Sequence, residues 1–254
     1  MRLVSYNILD GGTGRADPLA ENVLAQRSDI IVLVETQDPA VVERIAARAK
    51  MDYIRAGDER QSATILSRWP IIESVDHGAL RREVSKALLE ASVRGPDGTE
   101  WVIGAVHLHA GAFEADEQVR EKELGAVLDA FARHRRANRP HVLAGDFNAN
   151  APYQRIDPSK CKPKTRRAWE ENGGSVPRRV VQRLLDSGYV DTLRATDEQK
   201  AATDVSFTTL HPGQRVDYVF SFGFAPERVR DAWIEHDRLA KYASDHYPVG
   251  VEIS

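Results

Sequence analysis

The sequence predicts an α/β sandwich, with two packed β-sheets and helices on the outside. Three observations carry this expectation. The run "DIIVLVE", Asp29 to Glu35, is continuously apolar rather than alternating, as in a strand covered on both faces. Helical and strand-like segments alternate in the first half of the chain, whereas strands dominate the second. No Pro/Gly/Ser-rich linker and no internal repeat divides the 254 residues, so residues 1–254 are expected to form one domain.

The elements follow in order. Leu3 to Ile8 reads as the first strand. Pro18 to Gln26 reads as a helix, with Asp17 expected at its N-cap and Pro18 at its first position. Asp29 to Glu35 is the second strand, and Pro39 to Lys50 has helical spacing. "ATILSRWPI", Ala63 to Ile71, reads as one strand interrupted by Pro70, and Ala87 to Val93 as another. "GPDG", Gly95 to Gly98, is a turn that leads to the strand Trp101 to His109. Glu114 to Arg136 is expected as a long helix, with Val119, Leu124, Val127, Leu128 and Phe131 on one face. A short strand then ends in "GDFN", Gly145 to Asn148. An irregular segment follows, then a helix near Arg178 to Ser187, then the strands "RVDYVFSF", "VRDAWIE" and "YPVGVEI".

Bulk properties narrow the class. At 42% hydrophobic and 29% charged residues, the chain has the composition of a globular protein with a sizeable core. A net charge of −3 gives no global attraction to nucleic acid or membrane. The lone Cys161 rules out an internal disulfide. No apolar stretch approaches the roughly 20 residues of a membrane span. A strand begins at once at the N-terminus, with no export signal, so a cytoplasmic location is expected. No obligate protein partner is expected.

Strand after strand terminates in a residue suited to handling phosphate or metal: Asn7, Glu35, His107, Asp146 with Asn148, Asp217, and Asp245 with His246. Asp146 and Asn148 are ordinary turn formers, but at positions i and i+2 of a strand end they would also share one face. The segments "SYNI", "VLVET", "ATILSRWPI", "VHLH", "GDFNAN", "RVDYVF" and "SDHYPV" occur in an order that resembles the endonuclease/exonuclease/phosphatase, or DNase I-like, family. They span residues 4 to 249. The resemblance implies a four-layer sandwich of two mixed sheets and Mg²⁺-dependent hydrolysis of a phosphoester, with Mn²⁺ an expected substitute.

That chemistry accounts for the residue types. A cation and fixed donors must offset the charge on the phosphoryl oxygens, and a base must take a proton from water. Mg²⁺ prefers oxygen ligands and keeps several waters, so one or two carboxylates suffice. By resemblance Glu35, Asn7 and Asp245 are the metal ligands, Asp146 the water-orienting base and Asn148 a holder of the nucleophile or a phosphate oxygen. Asp217 and His246 are expected to pair, the carboxylate raising the imidazole pKa so that a cationic His246 would bind a phosphoryl oxygen in the transition state. The alternative makes His246 the base, and residue types leave that choice open. His107 resembles a position that contacts the phosphate or leaving group. His77, His109, His134, His141, His211 and His236 have no motif partner.

Subfamily patterns narrow the substrate only in part. Abasic-site endonucleases carry an acidic residue where this chain has Leu9, and tend to have Tyr where it has His107. The inositol-phosphatase motif is replaced by "GQRVDYV". Arg155 to Arg183 holds nine basic against three acidic residues, a net +6 directly after GDFN. Arg155, Arg166 and Arg167 are its candidate contacts to a polyanion, and Tyr153 and Trp169 could stack on bases or anchor the segment. The expected substrate is a phosphodiester in nucleic acid or a nucleotide-like molecule. The alternatives are a small phosphorylated metabolite or lipid head group, and a catalytically silent binding module.

Overall fold

Alternate residues of the apolar strands face opposite ways, and this builds four layers. The computed structural model describes residues 1–254. In chain order the first half comprises β1 (Arg2–Asn7), α1 (Ala16–Ala25), β2 (Ile30–Val34), α2 (Pro39–Ala49), β3 (Asp52–Gly57), β4 (Ser62–Ser67), β5 (Ile71–Asp76), α3 (His77–Leu80), β6 (Ala87–Arg94) and β7 (Glu100–His107). There follow α4 (Glu114–Ala130), α5 (Ala132–Arg136), β8 (His141–Asp146), α6 (Pro163–Glu171), α7 (Arg179–Asp186), β9 (Val190–Asp191), α8 (Thr192–Thr196), α9 (Glu198–Thr203), β10 (Asp217–Phe222), β11 (Val229–Ile234), α10 (Arg238–Ala243) and β12 (Val249–Ile253).

One sheet has the order β11-β12-β1-β2-β4-β3, the other β5-β6-β7-β8-β10-β9. Each is mixed in the same way: a single parallel pair, β1 with β2 or β7 with β8, is flanked by antiparallel neighbours. On β2, Ile30, Val32 and Val34 enter the core between the sheets, while Ile31 and Leu33 pack with Leu19, Val23, Val41 and Ile45 of α1 and α2. On the other sheet Ile103, Ala105, Val142 and Ala144 face inward, and Val102, Val106 and Leu143 meet Leu124, Val127 and Phe131. Both faces of the central strands are therefore covered, which is why their sequence is continuously apolar. This is the expected DNase I-like sandwich.

Several local expectations change. Asp17 lies inside α1, which starts two residues earlier than expected, with Arg15 as N-cap. Its carboxylate instead accepts hydrogen bonds from Arg44 and Arg48 of α2. The stretch Ala63 to Ile71 is two strands in different sheets: Pro70, unable to donate to a ladder, stands where the chain leaves β4 and crosses to β5. The helix Glu114 to Arg136 breaks at Phe131 (φ −91°, ψ 5°), whose ring covers Gly104 so closely that a Cβ there would lie 2.6 Å from it. Val119 is 37% exposed and does not share the buried face of Leu124 and Val127. The segment expected to be irregular contains α6.

Polar side chains tie the helices down. Glu90 of β6 points out of the sheet and is buried among His77 (2.9 Å), His134 (2.8 Å) and Arg133 (2.6 Å). Those three hydrogen bonds outweigh the effect of burial and hold its carboxyl down at about 2. His141 bonds Tyr189 and His236 bonds Asp204. Buried Arg215 is held by Asp191 at 3.2 and 2.5 Å.

Candidate active site

Parallel neighbours finish at the same sheet edge, and antiparallel neighbours start there. The pair β7–β8 sets His107 opposite Asp146, and antiparallel β10 sets Asp217, its first residue, opposite Asp146 on the other side. Asp217 thus opens a strand rather than closing one, yet reaches the same rim. The pair β1–β2 brings Asn7 level with Val34, one residue before Glu35. Asp245 and His246 lie in the loop entering β12, which is antiparallel to β1. The rim of both sheets carries all these residues, as the carboxyl ends of parallel strands commonly do.

The side chains form a connected chain of contacts. Asn7 Nδ2 donates to Glu35 Oε1 and to Asp146 Oδ2, both at 3.1 Å. His107 Nε2 lies 3.8 Å from Glu35 Oε1 and 3.6 Å from Asp146 Oδ2. His246 Nε2 lies 3.8 Å from Asp146 Oδ2 and 3.7 Å from Asp245 Oδ1, while its Nδ1 is 2.8 Å from Asp217 Oδ2. Asp146, Asp217 and His246 offer ligand atoms that all lie within 4.8 Å of one another. This buried acidic and imidazole cluster has the chemistry of a divalent-cation site. All eight expected metal and catalytic residues therefore meet at one rim.

Backbone geometry at the rim is costly. Leu9, Asp10, Glu35 and Asn148 have φ between 48° and 59° without being glycine. Such conformations cost on the order of 1–3 kcal/mol each, and they persist where surrounding bonds over-determine them. Here the Asp10 amide donates to Glu35 Oε2 (2.8 Å), the Leu9 amide to Asn7 Oδ1 (3.0 Å) and the Asn148 amide to Asp146 Oδ1 (2.8 Å). The "GDFN" motif is thus both an Asx-type turn and a site. Its glycine is obligatory, because a Cβ on Gly145 (φ 148°) would lie 1.8 Å from the Val106 carbonyl oxygen.

The environment separates the titrating groups. Burial pushes the Asp146 carboxyl up, the Asp217 charge adds to this, and together they carry it to about 6 against the opposing pull of His246 and Lys86. Burial alone would lower His246, but the charge and hydrogen bond of Asp217, with Asp146 and Asp245 behind, push it up to about 9. Burial and the positive charges of Lys86 and His246 hold His107 well below the usual histidine range.

Sequence reasoning missed three supporting residues. Lys86 Nζ lies 2.7 Å from His107 Nε2 and brings an ammonium to the rim. It immediately precedes β6, whose first residue Ala87 pairs with His107; the clue is a lone cation before an apolar run. Ser206 Oγ donates to Asp217 Oδ2 at 2.6 Å, and Ser244 Oγ donates to the Asn7 carbonyl at 2.7 Å. Nothing local in the sequence distinguishes these serines from turn residues.

The basic segment divides. Arg166 donates to the carbonyls of Pro158 and Ser159, Arg167 pairs with Glu171 at 2.7 Å, and the Arg155 amide bonds Ala202. Arg155 lines a separate pocket with Tyr153 and Arg194. None of these three arginines lines the cavity next to Asn148, whereas Lys162 and Lys164 do. Tyr153 is an anchor: its hydroxyl bonds Asp191.

Comparison with known proteins agrees with this geometry. The endonuclease/exonuclease/phosphatase family matches residues 4–246. Among solved structures, a 3′-5′ exonuclease from Neisseria meningitidis is 22% identical, with a TM-score of 0.74 over 100% of both chains. A 3′ phosphatase from Neisseria bound to a product DNA hairpin is also 22% identical, with a TM-score of 0.73 over 100% of this chain and 99% of that one. An AP endonuclease from Archaeoglobus fulgidus is 18% identical, with a TM-score of 0.72 over 100% and 99%. These likenesses concern the fold. No curated protein matches the sequence. No helix is long and apolar enough to cross a membrane. With the family matched from β1 to the histidine beside Asp245, and its residues gathered at one edge, the chain belongs to the endonuclease/exonuclease/phosphatase family and is a phosphoric ester hydrolase.

Proposed function

We propose that the protein hydrolyses a phosphodiester in nucleic acid or a nucleotide-like substrate, with Mg²⁺ as the working cation. One observation carries this reading: buried Asp146 stands 3.8 Å from Nε2 of His246, whose Nδ1 is held by Asp217 at 2.8 Å. Two groups so close, with pKa values pushed apart, suit a base and a donor in the same step.

The residues present fit the cation. Asp245 Oδ1 is buried without a hydrogen-bond partner. Glu35 and Asp146 face each other across one amide nitrogen of Asn7. Such an oxygen set suits a hard ion. Asp217 Oδ2 already bonds Ser206 and His246, so of the clustered acids Glu35 and Asp245, with Asn7, would hold the ion beside the Asp146–His246 pair. When bound it supplies Lewis-acid neutralisation of phosphoryl charge. Asp146 takes the proton of the attacking water, with Asn148 beside it. His246 donates to a phosphoryl oxygen, and Lys86 adds a second positive group. Neutral His107 accepts from Lys86 and holds it in place. Among the structural neighbours, the 3′-5′ exonuclease and the 3′ phosphatase bound to DNA support a nucleic-acid substrate.

The test is a panel of single- and double-stranded DNA, RNA, abasic DNA and small phosphomonoesters, with Mg²⁺ and with EDTA. Nucleic-acid cleavage that disappears in EDTA and in Glu35→Gln is expected. Release of inorganic phosphate from small monoesters, with nucleic acid left intact, would overturn the reading.

A further inference from the structure

The rim is open on one side and walled on the other. The wall is the segment carrying α6, fastened at both ends across the catalytic edge. At its start, Lys162 Nζ lies 3.3 Å from Asp245 Oδ2 and 4.3 Å from the centre of the Phe207 ring. Just past α6, Asn172 Nδ2 donates to the Ala112 carbonyl, on the loop that follows β7, at 3.4 Å. Further on, Arg178 donates to the Gln154 carbonyl at 2.8 Å. Thr165 and Ala168 of α6 are buried and seat the segment on the protein. Between this strap and the floor at Asn148 lies a cavity of about 180 Å³, bounded also by Ala112, Val176, Pro177 and Phe207. A ligand pocket for a whole small molecule is usually about 300–1,000 Å³, so this one takes a single ring or sugar and not a continuing chain. Lys164, which makes no ion pair, stands in its lining. On the opposite side, Lys86 opens onto a groove of about 690 Å³ that runs past Arg60, Gln61 and Asp76.

We propose that the enzyme acts at the end of a chain. The terminal unit sits under the strap beside Asn148, with Lys164 facing an anionic oxygen of it. The remainder of the strand leaves along the Lys86–Arg60 groove. The phosphorus between them lies over Asp146 and His246. Hydrolysis breaks the P–O bond between the terminal unit and the rest. The oxygen of water becomes bonded to phosphorus, one water proton passes to Asp146, and the leaving oxygen takes its proton from a solvent water. A strand with no end cannot thread beneath a strap pinned at Asp245 and Ala112. This inference rests on the nucleic-acid reading above and narrows it to terminal units.

The experiment compares a linear single-stranded oligonucleotide with the same sequence ligated into a circle, both with Mg²⁺. The linear strand is expected to shorten one unit at a time from one end. The circle is expected to be hydrolysed at least about 100-fold more slowly, as for a substrate barred from its reactive position. Lys162→Ala with Asn172→Ala, which releases both tethers, is expected to narrow the linear-to-circle ratio by about tenfold. Ala112→Trp, which fills the cavity, is expected to raise KM for the linear strand. Circle and linear strand cut at equal rates would overturn the end-limited site while leaving the nucleic-acid reading intact. Neither being cut, with a small phosphomonoester hydrolysed instead, would remove both.

Discussion

Lys86 and His107 form a pair at the rim in which the imidazole is fully buried and the partly exposed lysine brings a positive charge. Removing one preorganised donor to charge developing in a transition state typically costs about 10²–10³ in rate. Lys86→Ala is therefore expected to lower kcat about 100-fold, with Lys86→Arg recovering part of it, measured on one substrate at saturating Mg²⁺. His246 makes a second test. In cation-free protein its imidazole should titrate near pH 9, being charged below that and neutral above, and NMR can follow it. Asp217→Asn removes the charge and weakens the hydrogen bond that raise it, so the midpoint should move down by more than one unit, in proportion to the lost interaction. At this scale most of the site was legible. Glu35, Asp146, Asp217 and His246 belong to motifs whose chemistry is visible in their residue types. Lys86, Ser206 and Ser244 were not, because each acts through a partner distant in sequence: 21 residues separate Lys86 from His107, and 237 separate Ser244 from Asn7.

Elements position these groups, and α4 does so through a single side chain. Its buried Glu123 accepts from the His109 amide at 2.7 Å and from the Ser85 amide at 3.0 Å. One carboxylate thus joins the residue before Lys86 to the loop after His107. Glu123→Gln leaves at least one of these amides without an equivalent acceptor, at a cost of roughly 1–3 kcal/mol. The expected result is a lower Tm together with a lower kcat, whereas a purely structural loss would leave kcat of the folded fraction unchanged. The strands were readable from apolar runs and turn signals. The split of Ala63 to Ile71 between two sheets was not, since Pro70 marks an interruption but not which sheet follows. The helix α6 was hidden by its composition: "PKTRRAWEE" buries only Thr165 and Ala168, too few apolar positions to give a helical stripe.

The whole molecule joins two sheets with the same plan, each contributing one parallel pair whose carboxyl ends meet at a common edge. The sandwich was anticipated because continuous apolarity reports burial on both faces; the order of strands was not, because pairing depends on contacts between distant segments. Stability at acid pH is a property at this scale. The carboxyl of Glu90, held near 2 against an ordinary value of 4.5, stabilises the fold above about pH 4.5, and this contribution is lost as pH falls toward 2. Allowing for screening by nearby water, it amounts to about 1–2 kcal/mol. Glu90→Gln should flatten the pH dependence of unfolding free energy between those limits, measured by urea titration at each pH.

The division of the rim between the sheets has a mechanical result. Asn7, Glu35 and the loop bearing Asp245 ride on one sheet, whereas Asp146 and Asp217 ride on the other. The layer of Val32, Ile103, Ala144 and Val251 between them therefore works as the bed on which two halves of an instrument are kept in register. Trimming a methyl group there, far from any reacting atom, lets one half slide against the other and spoils the aim of a base that still has every one of its own neighbours.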